Sequence, residues 1–237
     1  MSIEAQSVVI IGGSSGIGLA IAKEAVDAGA EVTIAGRSQN RLDEARRAIA
    51  GDIAVRTVDL SNERSVRELF AQTGELDHLV ITGGSVKTGP LRELAFNEAR
   101  AGMDEKFWGQ YLAARYAKVR SKGSITFFSG ILSRRPAAGA AGLAAVNGAV
   151  EALGRALAIE LAPVRVNVVS PGLTDTPAHA AMPDEARREL FARAAKHSLV
   201  GRVGTPEEVA SLTLELMCNG YMTGVVVDVD GGALVAG

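Results

Sequence analysis

This chain of 237 residues has a single cysteine, Cys218. One thiol excludes an internal disulfide framework and fits a reducing compartment, so a cytoplasmic location is expected. No charge sign dominates either: 25 Lys and Arg stand against 27 Asp and Glu, a formal net charge of −2. With no basic or acidic block, nothing points to nucleic acid as a partner. No Pro/Gly/Ser-rich linker divides the sequence, and its 27 glycines are scattered. A chain of this length holds one sizeable core and is short for two, so residues 1–237 read as one domain. The first residues, Met1–Ser7, bring neither a basic region nor a long apolar run. We expect no signal peptide and no membrane span. The histidines fall at no metal-ligand spacing, so no metal is expected. His78 and His197 read as structural or surface residues.

What is present is an alternation. Short apolar runs rich in Val and Ile recur at Ser7–Ile11, Glu31–Ala35, Ala54–Asp59, His78–Ile81, Ser124–Ser129, Val164–Ser170 and Val225–Val229. Between them lie segments with helical spacing: Gly16–Ala28, Gln39–Ala50, Asn62–Thr73, Glu98–Ser121, Ala141–Leu161 and Pro206–Met217. Continuous apolar strands separated by amphipathic helices predict a seven-stranded parallel sheet covered on both faces, the doubly wound, Rossmann-like α/β class. The stretch 173–203 has no strand of its own and carries a charged helical run, Asp184–Lys196. An insertion at the C-terminal end of a strand reads as a lid over a site, or as a passive surface helix pair.

The first motif with chemistry in it is Ile11-Gly12-Gly13-Ser14-Ser15-Gly16-Ile17-Gly18, directly after the first strand and opening the first helix. Glycines there permit a tight turn and let backbone N–H groups of Ser14, Ser15 and Ile17 approach a pyrophosphate. The helix N-terminus adds partial positive charge. After the second strand comes Ile34-Ala35-Gly36-Arg37-Ser38. No acidic residue stands there to hold both ribose hydroxyls of NAD. Arg37 and Ser38, with Ser14, suit a 2′-phosphate, so NADP(H) is the expected cofactor.

With these motifs in order, the chain resembles the short-chain dehydrogenase/reductase family over nearly its whole length. Gly12, Gly16 and Gly18 match that family's Thr-Gly-x-x-x-Gly-x-Gly loop, with Ile11 in place of the threonine. Asp59-Leu60 matches the pair that contacts adenine. Ile81-Thr82-Gly83-Gly84 stands where the family has Asn-Asn-Ala-Gly, half kept. Arg165–Gly172 matches the late strand and its turn, Pro171-Gly172, and Thr176 falls where a threonine meets the nicotinamide amide. Asp228, Gly231 and Gly232 fit the C-terminal ending. The resemblance also implies a homodimer or homotetramer, formed through the helices around Lys106 and Asn147.

The departures lie where that family keeps its Asn, Ser, Tyr and Lys. Those positions read Lys106, Gly130, Leu143 and Asn147, and the chain contains no Tyr-x-x-x-Lys. The tyrosine donates the proton that a ketone oxygen needs as hydride arrives; the lysine lowers its pKa and holds the nicotinamide ribose. Leucine donates no proton. Asparagine has no charge, although its amide can bond a ribose hydroxyl. Losing a positioned acid forfeits roughly 10² to 10⁴ in rate, about 3 to 5.5 kcal/mol.

Three readings stay open. The protein is an NADPH-dependent reductase of a small molecule, with an acceptor already electrophilic (an iminium or a conjugated system) or another proton source. Alternatively it binds NADP(H) without catalysis, as a redox sensor or the inactive partner of an active relative. Or the pocket serves a non-redox reaction. Lys106 is the catalytic candidate, its ammonium replacing the charge missing at Asn147; the bland alternative is a solvated surface lysine. Asn147 is the candidate ribose contact. Arg134 and Arg135 are considered for an anionic substrate, His179 as a proton donor in the lid, and Ser129 as a hydrogen-bond donor if the register slips by one.

Overall fold

The computed structural model describes residues 2–180 and 182–236. Its centre is a seven-stranded, all-parallel sheet in the order β3-β2-β1-β4-β5-β6-β7. The strands are β1 (Ser7–Ile11), β2 (Glu31–Gly36), β3 (Ala54–Thr57), β4 (Glu75–Ile81), β5 (Lys118–Phe128), β6 (Arg165–Pro171) and β7 (Val226–Val229). The helices between them are α1 (Gly16–Asp27), α2 (Gln39–Ala48), α3 (Glu63–Thr73), α4 (Phe96–Gly102), α5 (Gly109–Tyr116), α6 (Ala141–Glu160), α7 (Asp184–Lys196) and α8 (Pro206–Cys218).

The alternation of β1 shows why the sheet is covered twice. Val8 and Ile10 point to one face, where they join Ile21 and Ala25 of α1, Leu42 of α2, and Val209 and Leu216 of α8. Val9 and Ile11 point to the other, against Val66 and Leu69 of α3, Ala113 of α5, and Val150 and Leu157 of α6. A strand apolar at four successive positions, Val8–Ile11, has no solvent face to offer, so both layers of helices follow from it. The helix α6 is long and apolar enough by composition to cross a membrane. Here it lies along the sheet, with Gly154 so close to Val168 that a Cβ would sit 2.4 Å from its side chain.

The expected helix over Glu98–Ser121 is the one large departure. It ends at Tyr116, and β5 starts at Lys118, six residues before the expected strand. Ala117 turns the chain into the extended region. The polar run that follows fits helical spacing as easily as strand alternation, and tertiary pairing decides between them. Arg120 Nη1 lies 2.8 Å from Asp77 Oδ2, and Lys118 and Val119 pair with Glu75 and Leu76. The register then shifts between Leu76 and His78, and a Cβ at Gly123 would come within 2.0 Å of the Asp77 carbonyl. Only glycine passes that bulge. A π-helical turn, Met103–Trp108, joins α4 to α5 and holds Lys106. The lid-like stretch holds a short 3-10 turn at Pro177–His179 and helix α7, whose bounds coincide with the charged run read from the sequence.

Candidate functional site

The strand order reverses at the β1/β4 boundary, and a groove of about 680 Å³ opens there at the carboxyl ends of the strands. Its floor is the β1–α1 turn: Gly12, Ser14, Ser15, Gly16, Ile17 and Gly18 all line it. The turn is as tight as its glycines imply. A Cβ at Gly18 would meet the Gly12 carbonyl at 2.2 Å, and one at Gly12, whose φ is +91°, would meet Thr82 Oγ1 at 2.5 Å. No side chain caps the N-terminus of α1. Its first N–H groups are therefore available to an anion.

One end of the groove is walled by Arg37 and Ser38 from the end of β2 and by Asp59 and Leu60 after β3. Ser38 caps α2 by accepting from the Arg41 N–H at 3.4 Å. Asp59 Oδ1 is turned to its own loop, accepting from the Ser61 N–H at 3.0 Å and hydroxyl at 2.7 Å. Gly83 and Gly84 form the wall that follows β4. Gly84 has φ +113°, and a Cβ there would reach the Lys106 Cα at 3.0 Å, so glycine is what lets the π-turn approach. From the lid-like stretch, Thr176, Pro177 and Ala178 close the other side. Thr176 faces Gly16 at about the distance of a close van der Waals contact, 3.2 Å from its missing Cβ position.

Pro171 and Gly172 are not on the groove wall. They stitch β6 to β7: the Gly172 N–H donates to the Val229 carbonyl at 2.9 Å, and a Cβ at Gly172 would meet Asp230 Cα at 2.9 Å.

Lys106 and Asn147, read separately from the sequence, meet. The Lys106 ammonium donates to Asn147 Oδ1 at 2.7 Å and to the Ser129 carbonyl at 2.9 Å. This fixes the asparagine amide, whose Nδ2 donates to the Gly130 carbonyl at 3.2 Å. Asn147 is buried and Lys106 half-buried, with its amino end turned inward. Burial lowers the amine's pKa from 10.5 to about 8. Gly130 has φ +156°, and a Cβ there would press on Asn147 Nδ2 at 3.0 Å. A side chain at 130 and the Lys106–Asn147 pair therefore compete for one space.

The remaining sequence candidates are engaged elsewhere. Ser129 points away from the groove, its hydroxyl donating to Glu151 Oε1 at 3.1 Å. Arg134 pairs with Asp228 and donates to Ser170 Oγ at 3.0 Å, and Arg135 bonds the Ala233 carbonyl. Arg134 is thus already paired with a carboxylate, whereas Arg135 is held by one backbone carbonyl. His179 packs edge-to-face on Phe191 at 5.6 Å. His197 caps the C-terminus of α7. His78 is buried between Ser124 Oγ (2.8 Å) and Gln6 Oε1 (2.6 Å), and burial lowers its pKa from 6.5 to about 4.

Two charged groove residues were not found by sequence reading. Arg41 lies on the wall near Arg37 and donates to Ser15 Oγ at 3.2 Å. The signal was available: it falls in the first turn of the helix that Ser38 caps. Glu105 also lines the groove, 3.5 Å from Arg37. It precedes Lys106 on the π-turn, and sequence spacing alone does not show that it faces the groove.

Known proteins of similar sequence share this fold. A family model described as enoyl-(acyl carrier protein) reductase matches residues 12–233. Short-chain dehydrogenase/reductase ATR9 of Stachybotrys chlorohalonatus is 38% identical, over 99% of this chain and 99% of its own. Short-chain dehydrogenase/reductase ucsE of Acremonium sp is 31% identical, over 99% of this chain and 97% of its own. Among solved structures, a small-chain dehydrogenase in complex with NADPH superimposes with a TM-score of 0.86 at 37% identity, covering 98% of this chain and 100% of the other. The MalC reductase/Diels-Alderase from Malbranchea aurantiaca does so with a TM-score of 0.91 at 29% identity, covering 98% of each chain.

Proposed function

Since the chain belongs to the short-chain dehydrogenase/reductase family of oxidoreductases, we propose that it is an NADP(H)-dependent reductase of a small molecule that works without the family's tyrosine. The observation that carries this reading is the Lys106–Asn147 pair: an amine bonds the amide that stands at the usual lysine position. The dinucleotide fits the residues present. Gly12 and Gly18 leave the space a Cβ would fill, and α1 presents uncapped N–H groups. Ser14, Ser15, Gly16 and Ile17 hold the pyrophosphate; Arg37, Ser38 and Arg41 hold a 2′-phosphate; Asp59, Leu60, Gly83 and Gly84 flank the adenosine. Thr176 holds the amide end. The similar structure that contains NADPH supports the phosphate reading.

Bound there, the dinucleotide would supply a hydride. The chain's own part is then positioning and charge. Lys106 holds Asn147 with its Nδ2 outward from the ammonium and keeps a third N–H for a ribose hydroxyl or an acceptor atom. Leu143 gives no proton, so the acceptor is one already electrophilic, such as an iminium or a conjugated system. The stretch 173–203 acts as a lid, since Thr176–Ala178 already lie on the groove wall. We place the protein in the cytoplasm as a homodimer or homotetramer, joined through exposed Phe96, Trp108 and Ile159 around α4, α5 and α6.

A second reading has its own support. The groove walls stop at Phe128 and Thr176 and do not take in Leu143 or Asn147. A cofactor-binding sensor or inactive partner subunit needs no cavity there. Calorimetry with NADPH and NADH, followed by turnover assays, separates the two. The reductase reading expects NADPH to bind at least about tenfold tighter, the worth of one charge-assisted contact. It expects little turnover of ordinary ketones and secondary alcohols, and turnover of cyclic imines or enones. Equal binding of both cofactors refutes the NADP(H) assignment; brisk ketone reduction refutes the assignment of Leu143. Tight NADPH binding with no turnover on any acceptor moves the protein to the inactive class.

A further inference from the structure

At the adenosine end of the groove one ion pair crosses from wall to wall. Arg37 Nη1, at the end of β2, lies 3.5 Å from Glu105 Oε1 on the π-turn. The carboxylate is anchored on its own side: Glu105 Oε2 accepts from the Ser85 hydroxyl at 3.2 Å and from the Ser85 N–H at 3.4 Å. The Arg37 side chain is 67% exposed and the Glu105 side chain 25%, so the arginine reaches over to a fixed partner. Both residues line the groove. The second cation at this end, Arg41, has no carboxylate partner among the described residues and donates only to Ser15 Oγ.

From this placement we infer that Glu105 is a cofactor-specificity residue. It occupies Arg37 in the cofactor-free protein and lowers the preference for a 2′-phosphorylated dinucleotide. The inference rests on the NADP(H) reading above. A 2′-phosphate carries close to two negative charges and three acceptor oxygens, and it needs the guanidinium that the carboxylate already holds. If Arg37 turns to the phosphate, Glu105 becomes a like charge close by, without its partner. A dinucleotide lacking that phosphate meets neither cost, and its ribose hydroxyls can donate to the carboxylate. Glu105 therefore acts on one cofactor and spares the other. Both neighbours sit on the π-turn: Glu105 faces Arg37 across the groove, while Lys106 turns to Asn147 and the Ser129 carbonyl.

The test is the ratio of NADPH to NADH affinity, read by fluorescence titration at low salt. In Glu105→Gln the amide still bonds Ser85 but releases Arg37. NADPH affinity is expected to rise by about three- to tenfold, somewhat above the worth of one exposed ion pair because the repulsion is also removed. NADH affinity stays within about twofold or falls. Adding Arg37→Gln to Glu105→Gln should abolish the gain, and rising ionic strength should shrink it. Should Glu105→Gln fold poorly, Glu105→Asp withdraws the carboxylate from Arg37 by one methylene and is expected to shift the ratio in the same direction. An NADPH:NADH ratio that is unchanged or lowered in the single variant overturns the inference while leaving NADP(H) binding intact. A wild-type protein that shows no NADPH preference, and no dependence on Arg37, removes the cofactor reading and this inference with it.

Discussion

The substitution Lys106→Met tests the centre of the proposed chemistry. It keeps most of the apolar stem and deletes the charge. On the stability side two effects oppose each other. Burial lowers the amine's pKa from 10.5 to about 8, so at neutral pH the folded protein carries a disfavoured charge worth about 3 kcal/mol. Removing the ammonium relieves that, but it leaves Asn147 Oδ1 and the Ser129 carbonyl without their donor, at about 1 to 3 kcal/mol each. The two nearly cancel, and the melting temperature of the cofactor-free protein should move by only a few degrees.

Cofactor binding has no such cancellation. A charge-assisted hydrogen bond to the dinucleotide contributes about 1.5 to 3 kcal/mol. Its loss should weaken NADPH binding by about 10- to 150-fold. The pH profile separates a working ammonium from a packing residue. In the wild type, between about pH 7, where the 2′-phosphate is already dianionic, and about pH 9, affinity should fall as the pH rises through about 8, because the free protein's amine loses its proton there. The sign follows from linkage: binding that needs the protonated form raises its pKa in the complex, so the gain fades above the free value. In Lys106→Met the profile should be flat. Affinity within about twofold of wild type at pH 7, with the same pH profile in both proteins, would refute the reasoning and favour the inactive reading.

Two further predictions concern the frame. His78 is held neutral by burial, its pKa lowered from 6.5 to about 4, so stability is fully present above 6.5 and is lost as pH falls from 6.5 toward 4. The loss is about 3 kcal/mol, readable as a falling midpoint in urea melts between pH 7 and 4; a His78→Gln variant with the same slope would show that another group is responsible. Arg165 donates to the carbonyls of Leu216 (2.6 Å), Met217 (2.8 Å) and Met222 (3.2 Å), closing the C-terminus of α8. Arg165→Met should cost about 3 kcal/mol and lower the melting temperature by about 6 to 12 °C, and an unchanged melting temperature would mean water satisfies those carbonyls.

The architecture was legible because it rests on local periodicity. Val8–Ile11 alternate between two apolar faces, and Gln39–Ala48 and Pro206–Cys218 begin behind Ser38 and Thr205, both side-chain caps. The family's loop was legible for a related reason: Gly12 and Gly18 stand where no Cβ fits, and such a constraint is written in the residue type itself. The boundary between α5 and β5 was not legible, because Lys118–Lys122 satisfy both periodicities and only pairing with Glu75 and Asp77 selects the strand.

The same limit governs the site. Sequence alone determined that no Tyr-x-x-x-Lys exists anywhere in the chain. It determined too that Lys106 and Asn147 hold positions of interest. That the two side chains bond each other, that Arg134 is spent on Asp228, and that Glu105 faces Arg37 across the groove were decided by tertiary structure. Those contacts join residues 41, 94 and 68 positions apart. Local pattern fixes which face of an element is apolar. Which charged group meets which depends on how far each strand and helix slides and turns against its neighbours, and here on one π-turn that redirects two adjacent side chains.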